Sequence, residues 1–289
     1  MTSELRRKTF NTRDGIALVA DCGGAPDMPA VVLLHGGGQT RHSWSKAVDR
    51  LIAEGFQVIN FDARGHGESD WSPDGAYSLA DRADDLAKVT SHLKLPFILV
   101  GASLGGATSI VAIDRGLRPA GLVLVDIVPE PDPGGISRIV SFMRGHPEGF
   151  GTLDEAAAAV AAYNPRRTPS ADARGLMRNL REGPDGRLRW HWDPRIVAAS
   201  PETHHKVVRK AAKRLAALPA LPVLLVRGLS SDVVSDAGVA SFRLQLPRLE
   251  VLDVAGAGHM VAGDRNDAFN DGVLAFAHRT LGPAASPVA

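Results

Sequence analysis

The chain has 289 residues, of which 44% are hydrophobic and 22% charged, a composition typical of globular proteins. Its formal net charge of +1 favours neither a nucleic-acid partner nor an anionic membrane surface. The single cysteine, Cys22, excludes an intramolecular disulfide framework and favours a reducing compartment. The N-terminal residues lack the apolar core of a secretory signal, and no apolar run reaches the ~20 residues of a membrane-spanning helix. We therefore expect a soluble, cytoplasmic protein with no membrane partner.

The first part of the chain alternates apolar strands with helices. Two strands are predicted at residues 7–10 and 16–21, around a turn with the sequence Asn-Thr-Arg-Asp-Gly. The run AVVLLHGGG predicts a buried strand that ends in three glycines, and residues 44–54 are expected to form a helix. FQVINFDARGHGES predicts another strand that continues into a glycine-rich loop.

The same alternation continues up to Val128. SLADRADDLAKVTSHL has apolar residues at helical spacing, and Ser78 is its expected N-cap. The strand FILVG, a helix from about Leu104 and the strand AGLVLVDIV follow. Short, continuously apolar strands between helices are typical of a parallel sheet that is covered on both faces.

An insertion interrupts this pattern. Residues 129–218 have almost no strand signal but several helical segments. Strands are again predicted at LPVLLVRG and LEVLDVAG, before a final helix near 265–281. The predicted organisation is thus a core formed by residues 1–128 and 219–289, with a helical cap inserted at 129–218. The cap contains 15 Lys and Arg against 10 Asp and Glu, which indicates a solvated helical surface or, alternatively, a cap that attracts an acidic substrate.

One short motif points to nucleophilic catalysis. Ser103 lies in Gly-Ala-Ser-Leu-Gly, between the strand FILVG and the next helix. Small residues two positions before and after a serine are typical of a nucleophile elbow, a turn so tight that larger side chains would collide. The helix N-terminus that follows favours negative charge on its backbone N–H groups. We therefore predict that Ser103 is a catalytic nucleophile.

A nucleophilic serine needs a base and an acid that orients the base. Of the ten histidines, His259 directly follows the last predicted strand, where this architecture places the base. Asp232, in the loop after VLLVRG, is the predicted acid. Asp236 and Asp126 remain alternatives, and Asp126 would otherwise be a structural hydrogen-bonding group.

The oxyanion formed during the reaction also needs hydrogen-bond donors. The predicted donors are the backbone N–H groups of Leu104 and Gly37, and His35 is interpreted as a buried organiser of the Gly37 loop. The predicted substrate pocket includes Gly38, Trp190, Trp192 and Met260. His191 is interpreted as a packing residue rather than a pocket residue.

Five motifs together carry a resemblance to a known family. LLHGGGQTRHSW, FDARGHGESD, VGASLGG, RGLSSDVVS and AGAGHMVAGDRNDAF occur in this order, and they resemble the α/β-hydrolase superfamily, more closely its capped, cofactor-free esterase and haloperoxidase-like members. The resemblance covers the core and implies a mostly parallel, eight-stranded sheet flanked by helices. It also implies a serine hydrolase with a Ser103–His259–Asp232 triad and a small, ester-like substrate.

Several functions remain compatible with these residues. A lactonase, a C–C bond hydrolase or a perhydrolase would use the same triad, and a small-molecule receptor can share the fold. No cofactor is predicted, since neither a phosphate-binding loop nor a dinucleotide fingerprint is present. No metal is predicted either, because the adjacent His204 and His205 would point apart on a helix. The oligomeric state is left open.

Overall fold

An eight-stranded sheet forms the centre of the protein. The computed structural model describes residues 5–164, 173–198, 200–218, 220–259 and 266–282. In spatial order, the strands of the sheet are β1 (Arg6–Asn11), β2 (Ala17–Gly23), β4 (Gln57–Phe61), β3 (Ala30–Leu34), β5 (Phe97–Ala102), β6 (Gly121–Val125), β9 (Val223–Gly228) and β10 (Glu250–Val254). Strand β2 pairs antiparallel with β1 and β4, and the other neighbours are parallel. The predicted mostly parallel sheet is confirmed.

Helices cover this sheet and form most of the insertion. They are α1 (Ser45–Ala53), α2 (Leu79–Thr90), α3 (Leu104–Asp114), α4 (Pro133–Arg144), α5 (Leu153–Tyr163), α6 (Pro201–Ala216), α7 (Asp236–Gln245) and α8 (Asn266–Leu281). Short 3₁₀ helices span Arg41–Trp44, Ala173–Asn179 and Pro194–Val197. The predicted cap of α2 is present, because the Ser78 hydroxyl accepts from the Asp81 N–H while the Asp81 carboxylate accepts from the Ser78 N–H. Within the described residues, no helix is both long and apolar enough to cross a membrane.

The central strands are apolar on both faces because each face packs against a helical layer. Every residue of β3, β6 and β9 is buried. One face packs against a layer that contains α2, α3, α6 and α7. The opposite face packs against α1 and α8. Burial on both faces explains why these strands are continuously apolar rather than alternating with polar residues.

The parallel strands end along one edge of the sheet. Leu34 at the end of β3 pairs with Gly101 of β5, and Ala102 pairs with Val125 at the end of β6. Val125 in turn pairs with Val226 of β9. Because ligands of open α/β sheets bind outside the carboxyl ends of the strands, the loops at this edge are the natural place for a functional site.

The insertion differs from the prediction in two respects. It contains a two-stranded antiparallel hairpin, β7 (Leu180–Glu182) and β8 (Leu188–Trp190), which is too short for a sequence pattern to reveal. Helix α6 falls within residues 129–218, yet it packs against α3, and its Val208, Ala212 and Leu215 belong to the core of the sheet layer. The part of the insertion before α6 has a small core of its own, which includes Phe150, Trp190 and Trp192.

Candidate active site

Ser103 lies in a sharp turn between β5 and α3. Its backbone has φ = 45° and ψ = −110°, a conformation that is strained for a residue with a side chain and that is often found at functional sites. The Ser103 N–H donates to the Val125 carbonyl at 3.0 Å, and its carbonyl accepts from the Ala107 N–H at 2.9 Å. These bonds to β6 and α3 hold the turn in place.

The small residues around Ser103 are required by close backbone contacts. A Cβ atom on Gly101 would lie 2.5 Å from backbone atoms of Gly105 and Gly106. A Cβ atom on Gly105 would lie 2.4 Å from the carbonyl oxygen of Leu34. Larger residues would therefore force the strand and the helix apart, which is the physical reason for the small residues two positions before and after the serine.

His259 lies beyond the end of β10 and is hydrogen-bonded to a buried aspartate. Its Nδ1 atom is 2.7 Å from Oδ2 of Asp126, which directly follows β6 and has a fully buried side chain. The other carboxylate oxygen of Asp126 accepts from the Gly228 N–H at 3.1 Å, and the Ser231 hydroxyl donates to Oδ2. With Nδ1–H donating to Asp126, His259 has a free lone pair on Nε2.

The structure does not bring the predicted acid, Asp232, into contact with His259, whose Nδ1 atom is hydrogen-bonded to Asp126 instead. The Asp232 carboxylate is hydrogen-bonded to Arg138 of the insertion, and 36% of its side chain is exposed. The cause is local: the Ser231 hydroxyl accepts from the N–H groups of Val233 and Val234, at 3.1 and 3.2 Å, and so defines a turn. In this turn Ser231, rather than Asp232, faces Asp126.

The second alternative acid, Asp236, is also remote from His259. It pairs with Arg227 at 2.5 Å, and its side chain is 95% exposed. Of the three candidates considered from the sequence, only Asp126 is in contact with the histidine.

The loop that follows β3 lies beside Ser103. A Cβ atom on Gly36 would be 3.5 Å from Cβ of Ser103, and one on Gly37 would be 3.9 Å from Cδ2 of Leu104. Among the described residues, the Gly37 N–H has no hydrogen-bond acceptor. Leu104 is the first residue of α3, so its N–H has no acceptor within the helix. Two backbone donors are therefore available next to the serine.

His35 orients the peptide group that carries the Gly37 N–H. Its Nε2 atom accepts from the Ala63 N–H at 2.9 Å, so the proton is on Nδ1, which is 2.8 Å from the Gly36 carbonyl oxygen. This carbonyl and the Gly37 N–H belong to the same planar peptide and point in opposite directions. Fixing the carbonyl therefore also fixes the direction of the N–H, in agreement with the interpretation of His35 as a loop organiser.

Two further histidines hold the next glycine of this loop. Nε2 of His66 accepts from the Gly38 N–H at 3.2 Å. His191, from the insertion, accepts from the Gly67 N–H through Nδ1 at 2.7 Å, and its Nε2–H is 3.3 Å from the Gly38 carbonyl oxygen. His191 thus links the insertion to the loop, a role that its position between two tryptophans in the sequence did not reveal.

All three histidines are held in the neutral form. Each is at most 2% exposed, and desolvation by burial is the largest cause that lowers the pKa of His35, His66 and His191, in the last case to about 3. Neutral rings also suit their contacts, since each uses one nitrogen as an acceptor of a backbone N–H. Their charge state therefore does not change near neutral pH.

A cavity of about 890 Å³ lies over these residues and is lined by both Ser103 and His259. The insertion forms one wall, in which the rings of Trp190 and Trp192 stack 5.0 Å apart with an interplanar angle of 10°. A Cβ atom on Gly38 would lie 3.4 Å from the Trp192 ring. Of the predicted pocket residues, Gly38, Trp190 and Trp192 line the cavity, whereas Met260 lies outside the described residues.

The Ser103 hydroxyl lines this cavity without a hydrogen bond to His259. Catalytic hydrogen bonds of this kind are often long and shorten when a substrate binds. In the described part of the chain, no group of three or more His, Cys, Asp and Glu side chains is arranged to hold a metal ion.

The fold and the turn around Ser103 define a class of enzyme. Residues 31–272 match the alpha/beta hydrolase family, and the chain belongs to this family, so the predicted fold class and hydrolase activity are confirmed. The chain is 30% identical over 251 residues to the esterase Rv0045c of Mycobacterium tuberculosis, which covers 82% of this chain and 78% of the relative. It is 28% identical over 274 residues to the sn-1-specific diacylglycerol lipase ABHD11 of Mus musculus, over 88% of this chain and 82% of that one.

Solved structures agree with these sequence matches. The M. tuberculosis esterase superimposes with a TM-score of 0.75 at 27% identity, over 96% of this chain and 92% of its own. E-2-(acetamidomethylene)succinate hydrolase superimposes with a TM-score of 0.81 at 25% identity, over 94% and 99% of the two chains.

Proposed function

We propose that this protein is a serine esterase that cleaves small carboxylic esters through an acyl-enzyme. The observation that carries the proposal is the 2.7 Å hydrogen bond between His259 and the buried Asp126, at a cavity that Ser103 also lines. A base with a free Nε2 and an acid on its other nitrogen is the arrangement that activates a serine hydroxyl. The esterase and lipase relatives support an ester as the substrate.

In the proposed reaction, Ser103 Oγ attacks the ester carbonyl and transfers its proton to Nε2 of His259. Asp126 keeps the imidazole in the required tautomer and stabilises the imidazolium that forms. The N–H groups of Gly37 and Leu104 bind the oxyanion of the tetrahedral intermediate. His259 then protonates the leaving alcohol, and the same residues activate water to release the acid from Ser103.

The insertion shapes the space for the substrate. Its Trp190 and Trp192 are buried and line the cavity together with Phe142 and Met143. Apolar walls with few polar groups are typical of small-molecule sites. We infer that the insertion selects the substrate, whereas the core residues perform the chemistry.

The function is tested by a substrate panel with the purified protein. We expect hydrolysis of p-nitrophenyl acetate, butyrate or octanoate, with a fluorophosphonate probe labelling Ser103. A γ-lactone and a β-diketone in the same panel distinguish lactonase and C–C bond hydrolase activities, which would use the same residues. Failure to cleave any ester, together with an unlabelled Ser103, would contradict the proposed esterase.

His191 provides a second prediction, because two of its substitutions separate its two hydrogen bonds. The amide nitrogen of Gln can replace the Nε2–H that donates to Gly38, while the amide oxygen of Asn can replace Nδ1 as acceptor from Gly67. If the bond to Gly38 positions the oxyanion loop, His191→Asn should lower kcat by roughly 10- to 100-fold, the cost of a small misplacement of catalytic groups. His191→Gln should retain most of the kcat.

The measurement is kcat and KM for p-nitrophenyl butyrate, with thermal unfolding of each variant as the control. A purely structural role would give two variants of lower melting temperature and unaltered kcat. Equal losses of kcat in both variants would show that the hydrogen bond to the Gly38 carbonyl is not what positions the loop for catalysis.

A further inference from the structure

A buried arginine of the core has no carboxylate partner among the residues that the structure describes. Arg82 lies on α2, is 3% exposed and lines the large cavity. Its Nη1 donates to the Arg64 carbonyl at 3.1 Å. Among the described residues, its Nε–H has no hydrogen-bond acceptor. Burying a guanidinium N–H group without an acceptor lowers the stability of the folded protein, so such a group suggests a ligand that supplies the acceptor.

The nearest carboxylate on the same helix does not pair with Arg82. Asp85 lies one turn further along α2, but both of its oxygens bind Arg64, each at 2.6 Å. Arg82 is left with the face of the Tyr77 ring, 5.7 Å from the guanidinium carbon to the ring centroid. Burial lowers the pKa of Arg82 to about 10, so the side chain is still a cation at neutral pH.

The described lining of the cavity is also unbalanced in charge. It contains three permanent cations, Lys46, Arg82 and Arg178, and a single carboxylate, Asp126. That carboxylate is already bound to His259 and Ser231. The described lining thus attracts an anion and offers it no competing acid.

From these observations we propose that the substrate carries a free carboxylate that binds Arg82. The proposal rests on the proposed esterase function and narrows its substrates to half-esters of dicarboxylic acids, with one carboxyl esterified and the other ionised. A carboxylate accepts charge-assisted hydrogen bonds from the N–H groups of a guanidinium, and the Nε–H of Arg82 is buried without an acceptor among the described residues. Ser103, at the same cavity, would attack the esterified carboxyl.

The test compares matched charged and neutral esters. Ethyl half-esters of succinate, glutarate and adipate are compared with ethyl esters of unbranched monocarboxylic acids of equal chain length, by titration of released acid. The readout is the ratio of kcat/KM, charged over neutral. We expect a ratio above one for the wild type at one chain length. Arg82→Met should lower it by about 10- to 100-fold, the value of hydrogen bonds to a charged group.

Two variants control for charge and for folding. Arg82→Lys keeps the charge but loses the planar fork, and should retain part of the preference. Arg115→Met removes an exposed arginine that pairs with Asp84 on α2, and should leave the ratio unchanged. If Arg82→Met does not fold, the wild-type ratio and the Lys variant decide the question.

Glutarate binding separates this proposal from the proposed function. Glutarate itself should raise the melting temperature of the wild type and inhibit ester hydrolysis competitively, and both effects should weaken in Arg82→Met. If the protein binds glutarate through Arg82 but cleaves no ester, the proposed esterase function is contradicted and the proposed carboxylate site at Arg82 is supported. If the protein cleaves esters, but its ratio of kcat/KM for charged over neutral esters is one or less and glutarate has no effect, the proposed carboxylate site is contradicted. The proposed esterase function would then still stand.

Discussion

Replacing Ser103 with alanine should reduce kcat for p-nitrophenyl esters by about 10⁶-fold, because without the hydroxyl no acyl-enzyme can form. The remaining rate would reflect only the oxyanion donors and substrate binding. The variant should fold normally, since the bonds that hold the turn use the Ser103 backbone and not its side chain.

A matched control for this substitution lies on α3, the helix that follows Ser103. Ser109 is fully buried in α3, and its hydroxyl donates to the Gly105 carbonyl at 2.8 Å, so Ser109→Ala removes an equivalent hydroxyl away from the cavity. It should change kcat little. Retention of activity and of fluorophosphonate labelling in Ser103→Ala would assign the nucleophile to another residue.

Replacing Asp126 with asparagine should lower kcat by about 10⁴-fold, because an amide in place of the carboxylate favours the wrong tautomer of the histidine. Asp232→Asn should change kcat only a few-fold, since it breaks an exposed ion pair with Arg138. The two variants are isosteric with the wild type and differ only in which candidate acid is removed. The measurement is kcat for p-nitrophenyl butyrate at saturating substrate.

Stability must be measured alongside, since Asp126 also accepts from the Gly228 N–H and the Ser231 hydroxyl. Ser231→Ala removes one of these bonds without touching the histidine, and so reports the structural part of the effect. A large loss of kcat in Asp232→Asn, with a small loss in Asp126→Asn, would identify Asp232, in the loop after β9, as the catalytic acid.

The fold was predictable because its signals are local. Continuous apolar strands such as β3 and β6 show in the sequence that both faces of the sheet are covered. The glycines around Ser103 reflect contacts within one strand–turn–helix unit and between it and the neighbouring strand. His259 was predicted because it lies in the loop directly after the last strand, whereas the other histidine beyond that strand, His278, lies in the final helix.

The tertiary structure decided which aspartate contacts His259. Strands β6 and β9 are parallel neighbours, so the residues after both strands reach the same edge of the sheet, and chain order cannot separate Asp126 from Asp232. The difference depends on the turn held by the Ser231 hydroxyl and on Arg138, which lies 94 residues before Asp232. The contacts of Asp232 with Arg138 and of Ser231 with Asp126 join distant parts of the chain and leave no periodic or compositional signal.

The same reason applies to the other residues that sequence reasoning missed. Helix α6 was assigned to the insertion because it lies before the next predicted strand, and only its packing against α3 places it in the core. His191 contacts Gly38 across 153 residues, and the missing partner of Arg82 is visible only once the surrounding side chains are in place. The sequence by itself determined the sheet and predicted Ser103 and His259 through local patterns. The contact between Asp126 and His259, the anchoring of the Gly37–Gly38 loop and the charge of the cavity arise from contacts that exist only in the folded chain.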